Sequence, residues 1–102
     1  MFNNSSYSES KLSDENIEIN IRNSYISLRV KLSEIISALK EIKKQTKARN
    51  LNSAIEMMYF CKPSKEGLAV LGLIITIQRC AKDGNVNPYL NLADLYQRIS
   101  CD

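Results

Sequence analysis

The chain of 102 residues has neither histidine nor tryptophan. Without histidine it lacks the commonest general base and metal ligand at neutral pH, so its serines and cysteines have no imidazole to activate them. Catalysis would fall to carboxylates, lysines or thiols, and the acids lie mostly at expected helix starts, where capping explains them. The sequence therefore reads as non-enzymatic, with no cofactor and no small-molecule substrate.

Cysteine is scarce as well. Cys61, Cys80 and Cys101 lie far apart with no C-x-x-C pair, which argues against a metal site. An odd count, with no secretory leader in the polar segment from Met1 to Asn20, fits reduced thiols and a cytoplasmic location. The longest apolar run, Leu68 to Ile77, has ten residues, about half of what a bilayer span requires. Proline and glycine number two and three, and neither interrupts the chain before Pro63.

What is present is a hydrophobic pattern of helical period. Ile21, Tyr25, Leu28, Leu32, Ile35, Leu39 and Ile42 recur at spacings of four and three, which predicts one long amphipathic helix. Ser13-Asp14-Glu15 supplies its start signal, and Asn50 its end. A competing pattern lies beneath it: Ile17, Ile19 and Ile21, then Ile26, Leu28, Val30 and Leu32, alternate as strands do. Each alternating run is short and the two are out of phase, so the reading favours the helix.

Three further helices are expected. Ser53-x-x-Glu56 matches a capping box for a second helix starting near Asn52 or Ser53, and Pro63-Ser64 stops it. Ser64 caps a third, Lys65 to about Lys82, which is apolar on nearly every side and should be the most buried, with Gly72 admitting a close neighbour. Its β-branched residues leave a buried strand as the alternative over Leu68 to Ile77. Asp83-Gly84-Asn85 terminates it, and Asn87-Pro88 starts a last helix carrying Leu92, Leu95, Tyr96 and Ile99. The expected architecture is an all-α, antiparallel bundle of about four helices: a flexible tail over 1–13, then one domain over 14–102 whose first helix is much the longest.

Charge is uneven along this plan. Residues 1–20 carry a net −3, residues 21–49 a net +6, and residues 50–102 balance. Lys40, Lys43, Lys44 and Lys47 share one helix face, with Arg49 just beyond, so this face is the candidate for anion or nucleic-acid binding. The stronger reading of this face is a solvated surface at the negative end of a helix dipole. Ile26 and Val30 lie off the apolar stripe, and Met57, Met58, Tyr59 and Phe60 crowd four large apolar groups into one turn. Those six residues are the candidate partner-binding set, since a helix with more apolar faces than its bundle covers suits docking. The expectation is a protein-interaction module: an adaptor, chaperone, inhibitor or immunity-type protein binding another protein or itself as a homodimer. The alternative is a nucleic-acid-binding transcriptional regulator using the basic face.

Overall fold

The structure of the chain, a computed structural model, describes residues 15–21, 26–87 and 90–99. The expected tail over 1–13, Tyr25, Pro88 and Cys101 lie outside the described residues. Four helices carry most of the described chain: α1 (Leu32–Thr46), α2 (Leu51–Phe60), α3 (Lys65–Lys82) and α4 (Leu92–Arg98). Beside them lies a three-stranded antiparallel sheet of β1 (Asn16–Asn20), β2 (Ser27–Lys31) and β3 (Val86–Asn87), in the order β2-β1-β3.

The sheet corrects the all-α expectation, and with it the single long first helix. Ile17 pairs with Val30 and Ile19 with Leu28, so the alternating isoleucines of β1 turn into the core while Asn16 and Asn20 turn out. Hydrogen bonds from Leu32 N–H to the Glu15 carbonyl (2.9 Å) and from Ile21 N–H to the Ile26 carbonyl (3.0 Å) extend the ladder at both ends. Glu15 is thus the start of a strand ladder, not the first turn of a helix. Alternation of β-branched residues wins over 16–31 because one pleated face buries them, whereas a helix would scatter Ile17 and Ile19 around its axis. The helical stripe is real only in its second half: Leu32, Ile35, Leu39 and Ile42 are buried on one side of α1.

The first helix is consequently shorter than α3, 15 residues against 18. It ends at Thr46, where Lys47 takes a left-handed conformation (φ 55°) and donates its N–H to the Lys43 carbonyl at 2.7 Å. Asn50 is not the end of that helix but the cap of α2: its side chain accepts from Ser53 N–H at 2.9 Å. An Asx cap one position before Leu51 supersedes the Ser53 box. Ser64 caps α3 as expected, accepting from Gly67 N–H at 3.2 Å, and Gly84 ends the turn beyond it at φ +77°. The last helix starts later than Asn87, which lies in β3; Asn91 caps it by accepting from Asp94 N–H at 3.0 Å.

α3 is less enclosed than its composition suggests. Its buried residues, Gly67, Leu71, Ile74, Ile77, Cys80 and Ala81, follow a single helical face, and Leu68, Ala69 and Gly72 are exposed. The core gathers this face with the α1 stripe, Leu51, Ala54 and Met58 of α2, the sheet's Ile17, Ile19, Val30 and Val86, and Tyr96 of α4. Among the described residues no polar or charged side chain other than these is buried.

The two helical glycines of α3 differ in consequence. A Cβ built at Gly67 meets Pro63 Cβ at 2.9 Å and Met58 Cε at 3.5 Å, so Gly67 is the point of close approach between α2 and α3. Gly72 has nothing within 4 Å and admits no neighbour. Gly72→Ala is therefore expected to raise unfolding stability by about 0.5–1 kcal/mol through the lower entropy of the unfolded chain. Gly67→Ala should instead lower it by about 1 kcal/mol through overpacking. Urea denaturation of the two single variants reads both signs directly.

Candidate functional site

The second helix is short and amphipathic, and its outer side is unusually apolar. Leu51, Ala54 and Met58 recur at spacings of three and four and are buried. With Met58 turned inward, the 100° step of a helix swings its neighbours out toward solvent. Met57 is 43% exposed, Tyr59 69% and Phe60 84%. Leu68, in the first turns of α3, adds another exposed side chain at 55%, next to the Gly67 contact that joins the two helices. The intervening link contains Lys62 in a left-handed conformation (φ 48°), an unfavourable setting for a residue with a Cβ.

The candidate partner-binding set divides accordingly. Met57, Tyr59 and Phe60 are all exposed on α2, with Met57 and Tyr59 on opposite flanks and Phe60 between them on the outer side, and Ile26 is exposed just before β2, along with half-exposed Leu28. Met58 and Val30 do not belong to any surface: Met58 packs beneath Gly67, and Val30 faces Ile17 across the hairpin. The helical stripe that sets Val30 apart does not exist over 21–31, and helix geometry resolves the crowding around Met58. Leu68 was hidden within an apolar run; its position opposite Ile74 and Ile77 on a helical wheel is the signal that would have exposed it.

The basic set divides as well. Lys40, Lys44, Lys47 and Arg49 are exposed at the end of α1 and in the loop beyond. Lys43 is half-buried and turned to structural use: its Nζ donates to the Tyr96 carbonyl at 2.9 Å and the Ile99 carbonyl at 3.2 Å, and lies 4.8 Å from the Tyr96 ring centroid. These carbonyls lie in the last turn of α4 and at its C-cap, where a cation satisfies free acceptors and the negative end of the helix dipole. Tyr96 Oη in turn donates to the Ala48 carbonyl at 2.7 Å, and Gln97 Nε2 to the Arg49 carbonyl at 2.7 Å. The lysine row is thus broken in the middle, and α4 is fastened to α1 and the loop after it.

An open depression of about 490 Å³ lies between the start of α2, the end of α3 and the start of α4. Asn52, Gln78, Asn91, Arg79 and Lys82 line it, with no cysteine or carboxylate beside them among the described residues. Cys61 is exposed and Cys80 buried, both as free thiols. Among the described residues no three of Cys, Asp and Glu gather to hold a metal ion, and no helix is long and apolar enough to cross a membrane. No family model, curated protein or solved structure matches the chain.

Proposed function

We propose that this chain is a non-catalytic protein-interaction module, of the adaptor, chaperone or inhibitor kind, which binds its partner through the outer face of α2 and the corner with α3. The observation that carries the reading is the exposure of Met57, Tyr59 and Phe60 on a helix whose opposite side fills the core, with Leu68 exposed at the start of the next helix. Fully burying side chains of this size contributes about 1.5–3 kcal/mol each, and proportionately less for the half-covered Met57 and Leu68. A partner that covers them recovers it, and aromatic anchors with an adaptable methionine are the usual centre of such contacts.

The test compares wild type with the variant Met57→Ser, Tyr59→Ser, Phe60→Ser. Because these groups are outside the core, thermal stability should move little, by about 0.5 kcal/mol or less per site. Affinity purification from the native cell followed by mass spectrometry should recover a protein with wild type that the variant loses. Sedimentation in parallel identifies a second copy as that protein, if dimers form with wild type alone. An unchanged protein set and oligomeric state with the folded variant would overturn the reading.

The second reading, a nucleic-acid-binding regulator, draws on the exposure of Lys40, Lys44, Lys47 and Arg49, and is weakened by the engagement of Lys43 with α4. Duplex DNA binding that falls steeply with salt and vanishes on Lys40→Glu, Lys44→Glu, Lys47→Glu would favour it instead.

A further inference from the structure

On another side of the molecule, α1 and α3 leave a groove of about 580 Å³ between them. Its floor is methyl-sized or aliphatic, from Ala38 of α1 and Ala69, Val70 and Leu73 of α3. Small residues at Ala38 and Ala69 keep a trough open between two helices, the geometry into which a row of side chains from a third helix packs. Its borders carry Ser33, Glu34, Ser37 and Glu41 on α1 and Glu66 on α3, and among the described residues no lysine or arginine lines it.

This acidity is local, in a chain whose net charge is +3 and whose α1 ends in lysines. First-turn positions account for Glu34 and Glu66 singly, as favourable charges at helix N-termini. They do not account for Glu41 in the third turn, or for the convergence of all three on one apolar trough. Glu41 is held in place by Gln45, whose Nε2 donates to its Oε2 at 2.6 Å. Neither Glu34 nor Glu66 has an ion pair among the described residues. Glu34 and Glu41 stand two turns apart, about 10 Å along the axis.

We propose that the α1/α3 groove docks an amphipathic helix from a partner protein, its apolar row on Ala38, Ala69, Val70 and Leu73 and its flanking lysines or arginines against the three glutamates. Charge complementarity selects a basic occupant, and the open apolar floor receives the apolar side of its helix. The lysine face of a second copy does not meet this description, because it lacks a row of apolar side chains. The inference adds a second face to the protein-binding reading but does not depend on the α2 corner.

The test uses the isotope-labelled full chain and two synthetic helical peptides sharing one alanine–leucine row. In one peptide the row is flanked by lysines two turns apart; in the other, by glutamates. The lysine peptide should shift backbone amide resonances over 33–41 and 66–73, and the glutamate peptide should not. Removing the rim charges with Glu34→Gln, Glu41→Gln, Glu66→Gln should weaken binding about tenfold, from about two- to threefold for each exposed pair. Ala69→Leu, at an exposed position that the fold tolerates, should block the floor and weaken binding by about tenfold or more. Equal binding of both peptides, no lysine-peptide binding at millimolar concentration, or indifference to Ala69→Leu would overturn the proposal. So would concentration-dependent shifts of the groove without peptide, which would assign it to a second copy. Peptide binding should survive Tyr59→Ser, Phe60→Ser, so this inference and the α2 reading fail separately.

Discussion

Tyr96→Ala is expected to lower unfolding stability by about 3–5 kcal/mol, the cost of removing a large aromatic group from a closed core. For a domain of this size, where total stability is on the order of 5–15 kcal/mol, that leaves the variant marginal at ambient temperature, with a melting point lower by roughly 20 °C. The reason is that Tyr96 does three things at once. Its ring is fully buried, its Oη donates to the Ala48 carbonyl at 2.7 Å, and its face lies 4.8 Å from Lys43 Nζ. Tyr96→Phe separates these roles: it keeps the ring and strands the Ala48 carbonyl, at a cost of about 1–2 kcal/mol. Thermal and urea denaturation of the pair gives both numbers, and a Tyr96→Ala variant as stable as wild type would show that α4 is not part of the cooperative core.

Ile19→Ala and Leu28→Ala should differ sharply although the two residues are cross-strand partners. Ile19 sits on the central strand, flanked by β2 and β3 and wholly shielded, so its truncation should cost about 3 kcal/mol. Leu28 lies on the outer strand and is 43% exposed, so its truncation should cost less than about 1 kcal/mol. A continuous helix through this region predicts the reverse order, because Leu28 would lie on its apolar stripe and Ile19 off it. Denaturation midpoints of the two variants therefore decide between hairpin and helix without further structural work.

That contrast also shows how far the sequence was legible. Ser64, Gly84 and the buried spacing of Leu32, Ile35, Leu39 and Ile42 were readable because caps, left-handed turns and helical burial are set by neighbours within a turn or two. The hairpin is visible in the sequence as two alternating runs whose phases differ. Yet an antiparallel register that joins Ile17 to Val30 and Ile19 to Leu28 places odd positions against even ones, so the phase difference is what the pairing requires. The third strand was not readable at all, because two residues gain strand geometry only from a partner some seventy positions away. At the surface, the aromatic pair Tyr59 and Phe60 was legible from crowding. The acidic groove was not, since Glu34, Glu41 and Glu66 converge only once α1 and α3 have packed.

The order of the sheet bears on how the polypeptide emerges from the ribosome. The middle strand is made first, and one of its two flanks is Val86–Asn87, near the other end. Translation can deliver a β1–β2 hairpin and α1 early, but an isolated hairpin is marginal in water, and the other side of β1 lacks its β3 partner until Val86 and Asn87 are made. Completion is thus postponed to a late, long-range closure, which raises contact order and slows the final step. A nascent chain halted before residue 86 would present unsatisfied backbone along Glu18 and Asn20, an adhesive margin that chaperones or premature aggregation would meet first.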